Sequence, residues 1–352
     1  MDKVRVLFLA GVDADNTNAQ SLNVREIVLR LDPERFHSTV LYEREPDSRL
    51  KNRPGIRLLQ LPARNKTSRI LREMLAAYDI VAYMDYSPAS YVFLHLPRIL
   101  RRAKAVMHRE GSGKLTNPSR LLRLLADGVV PRCDVYTAIT EFVAQEFQRS
   151  AQKRASHILP VGVETSLFTP PAERTNRVPV VLFAGTVIEP KGPQHVVDAA
   201  ARFPDATFRI VGAGRGGFEE VLRAKIAQLG LKTITLDGPK TQLQLLEIMR
   251  QSDIFLLPSR TEGIPKVSLE AGATGLPCIV FRDYETPSVV DGVTGFQAGT
   301  IEEMMQVLGK LIADRTLRQR MGAAAREHVK KFDWDLVSRK WQSAYLEIAG
   351  AR

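Results

Sequence analysis

The sequence predicts an α/β protein with two β/α/β domains, each built on a parallel sheet. The first reason is length, since 352 residues are more than twice the roughly 150 that are usual for one domain. The second is the alternation of short apolar runs with helix-compatible segments, which is typical of parallel sheets. The third is an interruption of that alternation at 160–179, after which the same pattern starts again.

The first half begins with a strand followed by a helix. Val4–Leu9 is a short apolar run, and Leu22, Ile27, Val28 and Leu31 follow it at helical spacing. Further strands are predicted at Thr39–Tyr42, Leu58–Leu61, Ile80–Tyr83, Ala105–Met107, Val135–Ala138 and His157–Leu159. Helix-compatible segments separate them, among them Ala89–Leu100 and Arg120–Val130.

The proline-rich segment 160–179 has the composition of a linker. Pro170 and Pro171 stand together in it, and the polar run Ala172–Arg177 follows them. We therefore predict an N-terminal domain at 1–165 and a C-terminal domain at 166–334.

The second half repeats the pattern of the first. Strands are predicted at Val180–Ala184, Thr207–Val211, Thr233–Leu236 and Ile254–Leu257, and helices at Val196–Ala201, Leu222–Leu229 and Leu243–Met249. The pattern is helical from Ile301 onward, and Trp341, Tyr345 and Ile348 form an apolar stripe in a last helix at 335–352. We expect that stripe to be core packing, and the helix could pack back on the N-terminal domain.

The composition is that of a folded globular chain. Hydrophobic residues make up 44% and charged residues 25%, which argues against a disordered or fibrous protein. No apolar run approaches the about 18 residues of a membrane helix, and the first residues lack the features of a signal peptide. We therefore expect a cytoplasmic protein, with Cys133 and Cys278 as buried thiols.

The net charge of +11 is concentrated in two stretches of the first half. Arg49–Arg72 holds eight basic residues and no acidic one, and Arg98–Arg132 holds nine basic and two acidic ones. Such a field attracts anions, for example a phospholipid surface, a phosphorylated ligand or nucleic acid. Few aromatic residues interrupt these stretches to stack bases, which argues against nucleic acid. A solvated basic face without a partner is the alternative.

The densest functional signal is Pro258–Ala271, which directly follows a predicted strand. Pro265 stands near the first position of a short helix that ends by Gly275. Ligands of open α/β sheets bind at the carboxyl ends of strands, where a helix start offers unpaired N–H groups. Glu262 precedes this helix and Glu270 lies in its second turn, so both carboxylates can face one crevice. Each could bind a pair of vicinal hydroxyls.

This segment and several others resemble the retaining family 4 glycosyltransferases, whose fold is called GT-B. Glu262 and Glu270 have the spacing of that family's signature, and Gly275-Leu-Pro-Cys-Ile follows them. The segment from Gly185 through Thr186 to Lys191 resembles the family's diphosphate loop. Further matches are Leu159–Glu164 with Phe168 and Pro170, Ile210–Gly214 and Gly292–Phe296, and weaker ones are Asp134–Glu141 and Phe332–Trp334, so the resemblance spans nearly the whole chain in order.

The resemblance implies a UDP- or GDP-linked sugar donor in the C-terminal domain, an acceptor in the N-terminal domain and an active site in the interdomain cleft. Glu270 would bond the ribose hydroxyls, Glu262 would hold the donor sugar and Lys191 would contact the diphosphate. The predicted catalytic residues are His108, Glu262 and Lys191. The predicted donor-binding residues are Gly185, Thr186, Lys191, Gly214, Arg215, Glu262, Gly263, Ile264, Pro265, Lys266, Val267 and Glu270. The predicted acceptor-side residues are Asn18, His108, Arg109 and Glu110.

A fixed ammonium and helix N–H groups can stabilise the leaving diphosphate without a metal ion. We therefore expect no cofactor and no bound metal. His108 follows a predicted strand, at the position where relatives carry an active-site histidine. The resemblance implies that it lines the cleft beside the anomeric carbon.

The sequence departs from the family at two places. Relatives usually carry Arg directly after the glycine of the diphosphate loop, where this chain has Thr186. A hydroxyl brings no charge, so either another cation substitutes, with Lys266, Arg215 and Arg260 as candidates, or the leaving group is less stabilised. The loop at 13–20 also lacks the glycines found in many relatives, which puts acceptor recognition there in doubt.

Two other motifs have weaker support. Asp13 and Asp15 have the spacing of a metal-binding pair, but they follow the first strand, where glycosyltransferases of the other main fold do not carry it. The glycines of 212–217, with Asp237, match a dinucleotide fingerprint, but they follow the second strand of their domain. We expect neither a metal nor NAD at these places.

The sequence therefore predicts a retaining glycosyltransferase. We expect its acceptor to be a lipid-linked or cell-envelope glycan at the inner face of the membrane, with the basic stretches on the anionic surface. One alternative is a glycosyltransferase that acts on a soluble metabolite or antibiotic. The other is a catalytically impaired partner subunit that binds sugar nucleotides, for which Thr186 is the best argument. A nucleotide-sugar epimerase uses the same fold, but the spacing of the two glutamates argues against it.

Overall fold

The computed structural model describes residues 3–14, 19–83, 93–94, 96, 102–111 and 133–350. The chain divides into two compact units, of which the first is Met1–Val161 with Trp334–Arg352 and the second is Gly162–Asp333. The division thus falls slightly before the boundary expected at residue 165. The last helix, expected from residue 335, belongs to the first unit, which begins again at Trp334.

The first unit is built on a seven-stranded sheet in which every pairing is parallel. Its strands are β1 (Val4–Gly11), β2 (Phe36–Tyr42), β3 (Ile56–Gln60), β4 (Ile80–Tyr83), β5 (Lys104–Arg109), β6 (Val135–Ala138) and β7 (His157–Ile158). Their order is β3-β2-β1-β4-β5-β6-β7. The central strands β1 and β4 are buried and almost wholly apolar, as expected for parallel strands covered on both faces.

Three helices follow strands of this sheet: α1 (Ala19–Arg30), α2 (Lys66–Met74) and α3 (Glu141–Ala151). The helix α3 begins where the Thr140 hydroxyl accepts a hydrogen bond from the Val143 backbone N–H, at 3.1 Å. It ends at Gln152, whose left-handed backbone stops the helix. The expected helices at 89–100 and 120–130 lie almost entirely outside the described residues.

The second unit repeats the architecture on a six-stranded sheet that is again wholly parallel. Its strands are β8 (Val180–Ala184), β9 (Thr207–Val211), β10 (Ile234–Gly238), β11 (Ile254–Leu257), β12 (Cys278–Phe281) and β13 (Gly295–Ala298), in the order β10-β9-β8-β11-β12-β13. Its helices are α4 (Pro193–Arg202), α5 (Phe218–Gln228), α6 (Gln242–Arg250), α7 (Lys266–Ala273), α8 (Ile301–Ala313) and α9 (Arg315–Val329). The predicted fold of two Rossmann-like domains is thereby confirmed, each sheet reversing its strand order at the central strand.

The last helix, α10 (Trp334–Ala349), completes the first unit. Trp341, Tyr345 and Ile348 form its buried stripe, with at most 5% of each residue exposed. The Asp335 carboxylate accepts a hydrogen bond from the Arg30 guanidinium of α1 at 2.6 Å. The stripe is therefore core packing, and α10 is tied to α1.

The structure adds elements that were not predicted individually, namely α2, α3, β12 and β13. Cys133 and Cys278 are buried and form no disulfide. Within the described residues, no helix combines the length and the apolar composition needed to cross a bilayer.

Candidate functional site

Three loops of the second unit meet at one edge of its sheet. The strands β8, β11 and β12 are neighbours and parallel, with Ile254 beside Val181 and Phe255 beside Cys278. The loops that leave their carboxyl ends are 185–192, 258–265 and 282–288. The carboxyl edge of an open α/β sheet is where such folds bind ligands.

Lys191 of the first loop and Glu262 of the second form an ion pair. The ammonium nitrogen lies 2.5 Å from each carboxylate oxygen, and the side chains are 28% and 11% exposed. The structure thus brings together two predicted catalytic residues that are 71 positions apart. Each of the two charges therefore neutralises the other.

The first loop is held by close backbone contacts that require glycine. Gly192 has a positive φ of 76°, and a Cβ atom there would lie 2.2 Å from the carbonyl oxygen of Pro258. A Cβ atom on Gly212, at the end of β9, would lie 1.8 Å from the carbonyl oxygen of Gly185. These contacts exclude larger residues and fix the loop against its neighbours. Gly185 and Thr186 themselves remain partly exposed.

The second loop leads into α7 through a buried turn. Gly263, Ile264 and Pro265 are buried, and Lys266 and Val267 are half-buried at the helix start. The Ser268 hydroxyl donates to the carbonyl oxygen of Pro265 at 2.6 Å, which fixes the first turn. The first N–H groups of such a helix have no partner within it and favour a negatively charged ligand.

Glu270, in the second turn of α7, is a buried carboxylate whose side chain forms no hydrogen bond with the described residues. It is 6% exposed. Apart from the nearby charge of Lys266, it meets no compensating group in the described part of the chain. Burial raises the pKa of Glu270 to about 7, and Lys266 lowers it only in part. Because a buried polar group normally has a partner, this one is a candidate for ligand binding.

The three cations considered as substitutes for the missing arginine differ in their surroundings. Arg260 donates to the Asp283 carboxylate at 2.6 Å and stacks on the Phe281 ring, 4.1 Å from its centroid. Lys266 lies close enough to Glu270 to influence its charge. Arg215 is exposed, beside Gly214, and forms no ion pair within the described residues. Arg260 is therefore engaged in holding two loops together.

His108 occupies a closed environment in the first unit. It is 5% exposed, its Nδ1 contacts the Thr137 hydroxyl, and its Nε2 lies 2.9 Å from the hydroxyl of Tyr345. The ring also packs on Trp341, with the centroids 4.6 Å apart. Burial lowers the pKa of His108 to about 3. His108 thus anchors α10 through its contacts with Tyr345 and Trp341, its burial favours the neutral imidazole, and a catalytic role for it stays a prediction.

The other predicted acceptor-side residues lie beside His108 or outside the described residues. The Glu110 carboxylate accepts a hydrogen bond from the Asn23 amide at 3.1 Å. Arg109 lies over the Phe147 ring, 5.3 Å from its centroid. Asn18 lies outside the described residues.

The weaker motifs have structural roles. The Asp13 carboxylate accepts hydrogen bonds from the backbone N–H groups of Glu43 and Arg44, the latter at 2.7 Å. Asp237 forms an ion pair with Arg209 at 2.6 Å. Asp15 lies outside the described residues.

The sequence interpretation missed the third loop. Tyr284 and Thr286 are buried there, 3% and 4% exposed. The available signal was their position after a strand that neighbours β11, but β12 itself was not predicted.

Comparison with known proteins gives a family match in the second unit. Residues 169–328 match the model of the family described as "Glycosyl transferases group 1".

The curated relatives are about 28% identical. The D-inositol 3-phosphate glycosyltransferase of Corynebacterium jeikeium is 28% identical over 258 residues, which are 65% of this chain and 61% of that protein. The GDP-mannose-dependent monoacylated alpha-(1-6)-phosphatidylinositol monomannoside mannosyltransferase of Corynebacterium glutamicum is 28% identical over 260 residues, 66% of each chain. The matches thus span less than two thirds of these relatives.

Solved structures share the fold over the whole chain. Sucrose-phosphate synthase from Thermosynechococcus elongatus has a TM-score of 0.83 at 17% identity, covering 100% of both chains. HepE from Anabaena, in complex with UDP and glucose, has a TM-score of 0.79 at 17% identity, covering 98% of this chain and 100% of that one. These neighbours support the GT-B type of fold.

Proposed function

We propose that the chain is a group 1 glycosyl transferase, since residues 169–328 match the model of that family, and that it is a retaining enzyme. In this proposal it moves a sugar from a nucleoside diphosphate donor to an acceptor hydroxyl. The second unit holds the donor and the first unit holds the acceptor. The donor is UDP- or GDP-linked.

The observation that carries this proposal is the unpartnered carboxylate of Glu270. A carboxylate buried without a hydrogen bond is costly to ionise, and the raised pKa of Glu270 reflects that cost, which Lys266 offsets only in part. A carboxylate accepts hydrogen bonds from two vicinal hydroxyls at once, which suits the ribose of a nucleotide. Glu270 lies on α7, whose first N–H groups suit an anion. A ribose joined to a diphosphate satisfies both features.

In this proposal, Lys191 and Glu262 contact different parts of the bound donor, namely the diphosphate and the sugar. The diphosphate draws the Lys191 ammonium, and Glu262 becomes available to the hydroxyls of the donor sugar. When the sugar–phosphate bond breaks, negative charge grows on the diphosphate, and a fixed ammonium with oriented N–H groups stabilises it. We propose that these groups suffice without a metal ion, and that the diphosphate oxygen itself takes the acceptor proton on the same face of the sugar.

The basic stretch Arg49–Arg72 indicates where an anionic acceptor approaches. Half of its charge is neutralised within the first unit: Arg49 pairs with Asp47 and Glu26, Lys51 with Glu45, Arg57 with Glu73, and Lys66 with Glu43. Within the described residues, Arg64, Arg69 and Arg72 form no ion pair. They lie on α2 or just before it, and Ile70 and Leu71 of that helix pack against the core.

We therefore propose that α2 faces an anionic membrane surface, so that the acceptor is a lipid-linked or cell-envelope glycan. The mannosyltransferase of Corynebacterium glutamicum carries a phosphatidylinositol acceptor in its name, which supports a lipid. The inositol 3-phosphate glycosyltransferases support the alternative, a soluble metabolite that carries a phosphate. The unpaired charge on α2 favours the lipid.

The first experiment is a thermal-shift screen of the whole chain with UDP, GDP, UDP-glucose and GDP-mannose. A ligand that binds only the native state raises the melting temperature. We expect one base to be preferred and Glu270→Ala to abolish the shift. Absence of any shift in the wild type would contradict the proposal.

The second experiment distinguishes an enzyme from an impaired binding subunit. Donor hydrolysis or transfer is followed in the wild type, with Lys191→Ala and Glu262→Ala as controls. Turnover that disappears in both variants supports the enzyme. Nucleotide-sugar binding without turnover would identify a binding subunit, for which Thr186 in the diphosphate loop is the argument.

A further inference from the structure

The loop 282–288 is tied to the loop that carries Glu262. Asp283 holds the Arg260 guanidinium at 2.6 Å, and the same guanidinium stacks on Phe281. At the other end, the Ser288 hydroxyl lies 2.6 Å from the hydroxyl of Ser268 in α7. The loop is therefore held at both ends against the elements that carry Glu262 and Glu270.

Two hydroxyls between these ties are buried and form no hydrogen bond of good geometry with the described residues. Tyr284 is 3% exposed and Thr286 is 4% exposed, and neither side-chain oxygen has a partner of adequate geometry. The two hydroxyls lie near each other: their contact falls short of hydrogen-bond geometry, but it is close enough for the Thr286 hydroxyl to act on Tyr284 as a hydrogen-bond donor and lower its pKa. A buried hydroxyl left without a partner costs about 1–3 kcal/mol.

The contrast with Tyr78 shows what a structural tyrosine looks like in this protein. The Tyr78 hydroxyl donates to the Glu73 carboxylate at 2.5 Å and lies 3.0 Å from the Thr39 hydroxyl. Both capacities of that phenol are satisfied inside the first unit. Tyr284 is buried to a similar extent, but its hydroxyl has no hydrogen-bond partner of good geometry among the described residues.

The phenol of Tyr284 lies close to Glu262. Burial is the main cause that raises the pKa of Tyr284, and the negative charge of Glu262 is the next. The hydroxyl therefore stays protonated at neutral pH and can donate a hydrogen bond.

We propose that the hydroxyls of Tyr284 and Thr286 bind hydroxyl groups of the donor sugar beside Glu262 and thereby select which sugar is transferred. The inference rests on the proposed function and deepens it. A carboxylate accepts hydrogen bonds, whereas these hydroxyls can also donate them, so the three groups together fix both the position and the direction of a sugar hydroxyl. Epimeric sugars differ in the direction of one hydroxyl and would leave these buried groups unpaired.

The test uses Tyr284→Phe and Thr286→Val in the full chain, with Tyr78→Phe as the matched control. Dissociation constants are measured for the free nucleotide and its sugar, as UDP with UDP-glucose or GDP with GDP-mannose, whichever pair the wild type binds. Melting temperatures are recorded for every variant. The free nucleotide lacks the sugar, so it reports on the rest of the site.

We expect each site variant to weaken binding of the sugar nucleotide about tenfold, which corresponds to one lost hydrogen bond. Binding of the free nucleotide should change less than about twofold, and the melting temperature should stay the same or rise because an unpaired hydroxyl is removed. Tyr78→Phe should lower the melting temperature and leave the ratio of the two constants unchanged.

Two results would overturn the inference while leaving the proposed function intact. One is an unchanged ratio of the two constants in both site variants, and the other is an equal loss of both ligands with a lowered melting temperature. A wild type that binds neither pair would overturn the proposed function itself, and this inference with it.

Discussion

The hydroxyl of Tyr345 lies 2.9 Å from Nε2 of His108, and both side chains are buried in the first unit. The two residues are 237 positions apart, so this contact ties the last helix of the chain to the end of β5. The burial that makes the contact also keeps the imidazole neutral, because it lowers the pKa of His108 to about 3.

The first unit should lose stability on acidification because of His108. Its pKa in the folded state lies below its ordinary value of 6.5, so between those values the unfolded state binds the proton and the folded state does not. Stability therefore falls as the pH decreases from about 6.5 towards 3, by up to about 1.4 kcal/mol per pH unit. His108→Gln should remove this part of the dependence.

Tryptophan fluorescence measures this unit selectively, since both tryptophans of the chain, Trp334 and Trp341, lie in α10. Urea unfolding at a series of pH values gives, for the wild type and for His108→Gln, the slope of the unfolding free energy against pH. Equal slopes for wild type and variant would show that His108 is protonated in the folded state.

Glu270 should make the stability of the second unit depend on pH in the opposite direction. Its folded-state pKa of about 7 lies above the ordinary 4.5, so the unfolded state releases its proton first as the pH rises. Stability therefore decreases from about pH 4.5 to 7 and stays low above that. Glu270→Gln should be more stable than the wild type at pH 8, on the order of 2–3 kcal/mol, and similar to it near pH 4.5.

The same variant separates stability from binding. Glu270→Gln should weaken nucleotide binding even though it stabilises the fold, because an amide accepts at one atom only. Circular dichroism of unfolding and isothermal titration with the preferred nucleotide measure the two effects. A variant that binds the nucleotide as well as the wild type would remove Glu270 from the site.

Lys191 and Glu262 should be coupled in stability and separable in function. Each is the partner of the other, so the destabilisations caused by Lys191→Met and by Glu262→Gln should add up to more than that of the double variant, with a coupling of about 0.5–3 kcal/mol. Lys191→Met should lower kcat about 100-fold or more, as expected for a lost leaving-group contact.

Glu262→Gln should instead act mainly on the sugar. We expect it to weaken the sugar nucleotide more than the free nucleotide. Additive stability effects would show that the ion pair does not form in solution.

Vesicle binding should depend on α2 rather than on the whole basic stretch. Reversal of charge in Arg69→Glu with Arg72→Glu should weaken binding to vesicles containing phosphatidylserine at least about tenfold, since a basic residue near an anionic surface contributes about 1 kcal/mol. Lys51→Gln is the control, because Lys51 already pairs with Glu45. Sedimentation at low and high salt checks the electrostatic origin.

If Lys51→Gln loses vesicle binding to the same extent, then binding depends on the total charge of the basic stretch and not on α2. Binding that does not respond to salt would contradict an electrostatic surface altogether.

The fold and the two glutamates were predictable because their signals are local. Strands such as β1 and β11 are short apolar runs, and Glu262 and Glu270 stand at fixed distances from the end of β11. The two Rossmann-like domains were predicted on these grounds and are confirmed, and residues 169–328 match the model of the predicted family. The strand β13 was missed because Gly295–Ala298 is too short and too mixed in character to be recognised.

What could not be predicted depends on contacts between distant segments. The charge count along Arg49–Arg72 does not reveal that Glu26 of α1 neutralises Arg49. The motif around His108 does not reveal that Tyr345 closes over its ring. Nor does the spacing of residues show that Tyr284 lies near Glu262, since that proximity comes from the neighbouring positions of β11 and β12.

The first and the last residues of the second unit lie side by side. The Val163 backbone N–H donates to the Phe332 carbonyl oxygen at 2.9 Å, and the Thr165 N–H donates to the Asp333 carboxylate at 3.2 Å. A segment whose two ends are hydrogen-bonded neighbours can be excised, closed into a circle or inserted elsewhere with little disturbance. Residues 162–333 can therefore be exchanged as one segment through a single pair of splice points, and under the proposed function such an exchange should carry the donor preference with it.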